Sequence, residues 1–157
     1  MLKPTNTNYL FKFSIVTAVY NVAPYLSEAI DSILSQDIGF LESVELILVD
    51  DGSTDASGAI CDEYQHKYPE NIVVIHKPNG GVASARNAGI AVARGRYVNF
   101  MDSDDKLTPD TLSSVYDFFI EHDKEVDLVS VPIFYFEQKK RTTSPELQIC
   151  FRQSAGH

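Results

Sequence analysis

Three acids fall within four residues at Asp102-Ser103-Asp104-Asp105, directly after the apolar run Tyr97-Val98-Asn99-Phe100-Met101. A buried strand that delivers carboxylates to the edge of a sheet can hold a divalent cation. Asp102 and Asp104 are two apart, so along an extended chain both point to the same side. Hard oxygen donors presented together suit Mg2+ or Mn2+, which keep water and take substrate phosphates as further ligands. The plainer reading is a strand running into a polar turn, with Asp105 or Thr108 capping the next helix.

Two other apolar runs end in polar residues. Val44–Val49 leads into Asp50-Asp51-Gly52-Ser53. An acid there can accept hydrogen bonds from a ribose hydroxyl or a base N–H, and Gly52 lets a ligand approach the backbone closely. The same residues also suit a tight turn followed by a helix cap. Phe13–Val19 ends at Tyr20-Asn21, where Tyr20 could stack on a base or serve as core. Asn79-Gly80-Gly81 leads to a helix start bearing Ser84, Arg86 and Asn87. A glycine-rich turn of that kind, Gly81 included, offers free N–H groups to an anion. Arg86 can add charge-assisted bonds to a diphosphate or pair with a nearby acid. There is no GxGxxG fingerprint and no P-loop lysine, which argues against NAD-type and ATPase-type chemistry. His66, His76, His122 and His157 have no ligand spacing and read as structural or surface residues.

These residues need strands and helices to position them. Strands are expected at 13–19, 44–49, 72–75, 97–101 and 126–131, with 133–136 as a further edge strand. Helical spacing predicts helices from Pro24 to about Gln36, after a Ser53 or Thr54 cap to Pro69, over Val82–Ala93, and over Pro109–His122. In the third of these, Val82, Ala85, Gly89 and Val92 form a small-residue face for close packing, and Gly95 reads as its C-terminal cap. Strands alternating with helices imply parallel pairing through right-handed crossovers, hence a doubly wound α/β sheet with helices on both faces. Ligands bind such sheets beyond the carboxyl ends of the strands. Tyr20-Asn21, Asp50-Asp51 and Asp102-Ser103-Asp104 all sit at such ends.

The chain has 157 residues, a size that suits one domain with a real core. Its 13 basic and 22 acidic residues give a net charge of −9, which argues against nucleic-acid binding and a basic membrane patch. An anionic substrate would then need a metal ion or local Arg and Lys groups. Cys61 and Cys150 lack metal-type spacing and read as thiols in a reducing compartment. No apolar run is long enough to span a bilayer, and no signal-peptide core is visible, so the chain is expected to be cytoplasmic.

Assembled, the motifs Thr17-Ala18-Val19-Tyr20-Asn21, Val49-Asp50-Asp51-Gly52-Ser53-Thr54-Asp55, Asn79-Gly80-Gly81-Val82-Ala83-Ser84-Ala85-Arg86-Asn87-Ala88-Gly89 and Gly95-Arg96-Tyr97 through Asp105 closely resemble family 2 glycosyltransferases of the GT-A fold. They occur in the family's order over about residues 13–136. The resemblance implies a Rossmann-like, mostly parallel central sheet and a nucleotide-sugar donor, usually of the UDP type. It implies that Asp51 contacts the base and that Tyr20 and the end of the first strand, at Ala18, line the nucleotide pocket. Asp102-Ser103-Asp104 corresponds to the family's DxD metal motif for Mn2+ or Mg2+, with Asp104 the nearest ligand and Asp102 facing the donor ribose or sugar. Arg86 would assist at the diphosphate.

On this reading residues 1–12 are an arm, 13–136 the donor-binding domain, and 137–157 a polar tail opening an acceptor-binding half. That half carries the family's catalytic base. No matching segment precedes His157, and Glu137 and Glu146 stand in no matching motif, so the base is expected beyond His157. The expected activity is inverting transfer to a glycan or lipid-linked acceptor at the inner face of the membrane, in cell-surface polysaccharide synthesis. Any peripheral membrane association would come through regions outside the chain. The alternatives are a non-catalytic nucleotide-sugar-binding module and an acidic phosphotransfer receiver. The segment Asn79–Gly89 and the second acid cluster argue against the receiver.

Overall fold

The computed structural model describes residues 9–122, 126–130 and 148–150. By contact it divides into two compact units, Met1–Asp110 and Thr111–His157.

The first unit begins with β1 (Phe11–Val19), α1 (Ala23–Leu34), the short α2 (Phe40–Ser43) and β2 (Val44–Asp50). It continues with α3 (Ser57–Lys67), β3 (Ile72–His76), α4 (Val82–Val92) and β4 (Gly95–Phe100). The four strands form one sheet in the order β3-β2-β1-β4, and every pairing is parallel. All seven residues of β2 are buried, as expected of a strand covered on both faces. One face presents Val16, Ala18, Ile47, Val49, Val73 and Ile75 to α4, whose Ala85 is fully buried there. On the other face lies α3, where a Cβ on Gly58 would fall 2.9 Å from Asp50 Oδ2. Helix α1 joins α3 through the Tyr64 hydroxyl, which donates to Asp31 Oδ1 at 2.7 Å. The doubly wound sheet with helices on both faces is therefore present as expected.

Three local expectations give way. In α4 only Ala85 and Gly89 are buried, while Val82 and Val92 are exposed. The apolar face is narrower than its spacing suggested because the sheet meets α4 at its smallest residues. A Cβ on Gly89 would stand 2.3 Å from Val16 Cγ1. Overpacking in Gly89→Ala costs about 1–3 kcal/mol against the roughly 1 kcal/mol that alanine adds in a helix, so a net destabilisation of up to about 2 kcal/mol is expected. A lower urea midpoint than wild type checks this, and a higher one would show that α4 can shift away.

Gly95 is not the cap of α4 but the first residue of β4. A Cβ there would lie 2.4 Å from the Ser14 backbone N and 2.5 Å from the Phe13 carbonyl carbon. What the position needs is close approach of two backbones, not a left-handed turn. Nor is α3 capped by Ser53 or Thr54, since Asp55 Oδ1 accepts the Ser57 N–H at 2.9 Å.

In the second unit α5 (Thr111–Glu121) buries Leu112 and Val115. The expected fifth strand is present as β5 (Leu128–Ser130), but it pairs antiparallel with β6 (Gln148–Cys150) in a separate two-stranded sheet. β6 falls in the stretch whose sequence shows no pattern. The expected edge strand at 133–136 lies outside the described residues.

Candidate functional site

The sheet order puts the switch point between β1 and β4. The chain moves outward from β1 to β2 to β3, then returns to the other side of β1 as β4. The crevice of such a sheet opens beyond the carboxyl ends of the two strands that flank the switch. Register fixes what stands there. Val19 pairs with Asp50, and the Asp51 N–H extends that pairing to the Val19 carbonyl at 2.9 Å. Val16 pairs with Phe100, and the Met101 N–H donates to the Val16 carbonyl at 3.2 Å. Tyr20, Asp51 and Asp102 therefore lie along one edge of one sheet. Tyr20 is half exposed, and Ala18 is half-buried in the core under α4.

The loop after β1 is stitched to the loop after β2. Asn21 adopts a left-handed φ of 52°, which a short polar side chain tolerates. Its Oδ1 accepts the Thr54 N–H at 2.8 Å, and its own N–H donates to Ser53 Oγ at 3.1 Å. The Val22 N–H donates to Ser57 Oγ at 3.0 Å, and the Ala23 N–H to Asp55 Oδ2 at 3.1 Å.

Asp50 and Asp51 do different work. Asp50 Oδ1 accepts the Ser53 N–H at 2.9 Å, and Oδ2 meets His76 Nδ1 at 2.9 Å. The other ring nitrogen of His76 meets Asp62 Oδ1 at 2.9 Å, so the imidazole bridges β2 to α3. Burial alone would raise the Asp50 carboxyl, but the bonds from Ser53 and His76 outweigh it and hold the group below its ordinary range. Asp62 first, then Asp50, raise His76 above its ordinary value of 6.5.

The stabilisation from a raised histidine is full below the unfolded value and fades as pH rises through the folded one. That from a depressed acid fades as pH falls through its folded value. The bridge thus contributes most between the two ordinary values, 3.8 and 6.5. Because His76 is 49% exposed, the contribution is expected to stay under about 1 kcal/mol. Melting temperatures of wild type and His76→Gln should therefore converge as pH is raised above the folded value. A gap that widens with rising pH would contradict the assignment.

Asp51 is 5% exposed and faces the glycine-rich turn. Its Oδ1 accepts Lys77 Nζ at 2.5 Å and the Gly80 N–H at 3.0 Å, and its Oδ2 accepts the Gly81 N–H at 2.7 Å. Lys77 foremost, with the two glycine N–H groups, holds this carboxyl below its ordinary range against the effect of burial. The N–H groups that the sequence offers to an anion are thus donated to an internal one. Gly81 has φ 85° and is the N-cap of α4, its carbonyl accepting the Ala85 N–H at 3.0 Å. A carboxylate has about four acceptor sites, and three of those of Asp51 are filled by these donors. Sequence reading passed over Lys77; its signal was a lone cation between a strand and a glycine turn.

At the end of β4 the chain does not stay extended. Ser103 and Asp104 form a turn closed by the Asp105 N–H on the Asp102 carbonyl at 3.1 Å. The two-residue alternation invoked for Asp102 and Asp104 therefore does not apply. Instead the turn buries Ser103 and leaves both carboxylates exposed. Asp102 Oδ1 accepts Arg86 Nη2 at 2.8 Å, and the guanidinium lies 5.6 Å from the centre of the Phe100 ring. Asp105 is raised above its ordinary range by burial and by the charges of Asp104 and Asp102. Among the described residues no three His, Cys, Asp or Glu side chains converge on a cation position. Asp102 and Asp104 would offer a cation two protein groups, which fits Mg2+ or Mn2+ completed by water and phosphate oxygens.

Cys61 is buried, and its burial, with the charges of Asp50 and Asp62, pushes the thiol up to about 12. It should resist thiol reagents in the native state and react only on unfolding.

The family model described as glycosyl transferase family 2 matches residues 14–155. The chain is 51% identical over 130 residues to the minor teichoic acid biosynthesis protein GgaB of Bacillus subtilis, covering 83% of this chain and 14% of that protein. Residues 1–349 of S. aureus TarS, in complex with UDP-GlcNAc, superpose with a TM-score of 0.66 at 36% identity, covering 72% of this chain and 32% of that one. The Pyrobaculum calidifontis mannosyltransferase PcManGT, in complex with GDP-Man and Mn2+, gives 0.63 at 25% identity over 71% of this chain and 33% of that one. The chain thus spans a third or less of the length of these relatives. With four motifs in order on a parallel sheet of GT-A type, the chain belongs to glycosyltransferase family 2.

Proposed function

We propose that the chain carries the donor site of an inverting, metal-dependent glycosyltransferase. It would move a sugar from a nucleotide diphosphate, of the UDP type, to a glycan or lipid-linked acceptor of a cell-surface polymer. The observation that carries this reading is the shared edge: Tyr20, Asp51 and Asp102 stand at the carboxyl ends of three adjacent parallel strands, around the switch point. The relatives support it, since one is a teichoic acid biosynthesis protein and another is seen with UDP-GlcNAc.

Each group has a separate task. The exposed Tyr20 ring offers a face for a base, and the remaining acceptor site of Asp51 takes a base N–H. Arg86 is poised to exchange part of its pairing with Asp102 for a diphosphate oxygen. As the acceptor oxygen bonds to the anomeric carbon of the sugar, the bond from that carbon to the diphosphate breaks, its electron pair leaves with the nucleoside diphosphate, and the Arg86 charge stabilises that product. A divalent cation, held by Asp104 and Asp102, would offset the same charge. The Mn2+ of the mannosyltransferase complex supports this assignment. Deprotonation of the acceptor is assigned to no described residue.

Among the described residues no helix is long and apolar enough to cross a membrane. We place the reaction on the cytoplasmic side, at the inner face of the membrane.

A thermal-shift panel of UDP, GDP and ADP, with and without Mn2+, tests the reading. A ligand at 100 times its Kd adds about 2.7 kcal/mol to the folded state. UDP with Mn2+ is expected to raise the melting temperature most. No shift with any nucleotide would contradict the donor site.

A further inference from the structure

The turn that carries Asp102 and Asp104 is held from behind. Its continuation is fastened to α1 and to the residues just after α1 at four points. Lys106 Nζ pairs with the Glu28 carboxylate. The Leu107 N–H donates to Ser32 Oγ at 3.1 Å. Gln36 Nε2 donates to the Thr108 carbonyl at 2.7 Å, and the Asp37 N–H donates to the Pro109 carbonyl at 2.9 Å. Glu28, Ser32 and Gln36 are spaced by four, so they form a single stripe along the helix and its last turn. Gln36 is buried and also donates to the Ser32 carbonyl at 3.0 Å, which uses both of its amide protons. The other end of α1 is fastened to Asp55, in the loop that follows Asp51, and to Ser57, the first residue of α3.

Helix α1 therefore connects the two ends of the donor site. One end is tied to the loop beside Asp51, where the base would lie. The other is tied to the segment leaving the acidic turn, where diphosphate and cation would lie. Asp102 and Asp104 are exposed, carry like charge and have Asp105 beside them. Arg86 holds the Asp102 side of the turn and Ser103 is buried, so it is the Asp104 side that would sample many arrangements without the ties from behind, and binding would bear the entropy of ordering it. A strut fixed at both ends removes that cost and sets the spacing between the two halves of the ligand.

We infer that Gln36 and Ser32 are positioning residues for the cation- and diphosphate-binding turn, acting through the segment 106–109. The inference rests on the donor-site reading. It assigns a ligand-specific role to two residues through their bonds to that segment. The diphosphate and cation part of the affinity depends on these ties between α1 and the segment 106–109, and the nucleoside part does not.

The test is calorimetric titration of wild type, Gln36→Met, Ser32→Ala and Ser32→Thr with two probes, UDP plus Mn2+ and UMP without metal. Gln36→Met and Ser32→Ala are each expected to weaken UDP–Mn2+ binding about fivefold, the scale of one hydrogen bond. UMP affinity is expected to stay at the wild-type value in both. Ser32→Thr keeps the hydroxyl and is expected to retain the UDP–Mn2+ affinity. Equal weakening of UMP and UDP–Mn2+ would reduce both residues to general structural support and overturn the inference. So would an unchanged UDP–Mn2+ affinity in folded Ser32→Ala, which decides the matter alone if Gln36→Met fails to fold. A wild type that binds neither probe would overturn the donor-site reading, and this inference with it.

Discussion

Arg94→Met is expected to lower stability by about 3 kcal/mol, because it strands a buried carboxylate. Glu45 lies in the middle strand pair with no exposed surface. Its Oε1 accepts Arg94 Nε at 2.5 Å, and its Oε2 accepts the Ser14 hydroxyl at 2.6 Å and the Arg94 N–H at 2.9 Å. Ser14 Oγ in turn accepts the Gly95 N–H at 2.8 Å, which starts β4 against β1. Losing the guanidinium leaves the charge with two neutral-donor bonds and no counter-ion. The figure sits at the low end for broken buried pairs because Arg94 is 44% exposed and water reaches it.

The companion substitution separates charge from packing. Glu45→Gln in the Arg94→Met background keeps acceptors for Ser14 and for the residue 94 N–H while removing the stranded charge. It is expected to recover a large part of the loss, measured by urea unfolding across the double-mutant cycle. If the double variant were no more stable than Arg94→Met alone, the buried charge would not be the cause.

The second large effect is at the ligand. Asp51→Ala is expected to weaken UDP binding about 10- to 100-fold, the scale of losing one hydrogen bond to a charged group. The carboxylate is a direct acceptor for the base on this account. It is also the group that closes the Gly80–Gly81 turn onto β2, with Lys77 as its counter-charge. Asp51→Asn keeps the size but presents an NH2 where acceptors are needed, so it should fall in the same range. Affinities within threefold of wild type in both variants would remove Asp51 from the binding site.

The larger outline of this arrangement was legible in the chain itself. Parallel strands buried on both faces read as the apolar runs 13–19, 44–49 and 72–75, and each is present. The polar residues that end them fall on one edge because parallel strands point their carboxyl ends the same way. What sequence could not supply was the partner of each polar group. Nothing in Asn79-Gly80-Gly81 distinguishes N–H groups waiting for a phosphate from N–H groups already donated to Asp51. Asp50 and Asp51 are adjacent and look equivalent, yet strand alternation sends one toward α3 and His76 and the other toward the glycine turn.

Glu45 is the one charged residue in the run Val44–Val49, which sequence reading passed over, and its counter-ion Arg94 lies 49 residues away. Gly95 misled because a glycine after a helix usually ends it, and only the pairing with β1 shows the backbone contact it permits. The strand Gln148–Cys150 is short and takes its structure from β5, so local pattern does not mark it.

The most direct test of the donor-site account is calorimetric titration of UDP with and without Mn2+ on wild type and Asp104→Asn. Asp104 is exposed on its turn, so the substitution leaves the core untouched. The account predicts that Mn2+ strengthens UDP binding to wild type and that Asp104→Asn removes this metal-dependent gain while remaining folded. UDP binding that is identical with and without Mn2+, or a metal-dependent gain that survives in Asp104→Asn, would contradict it.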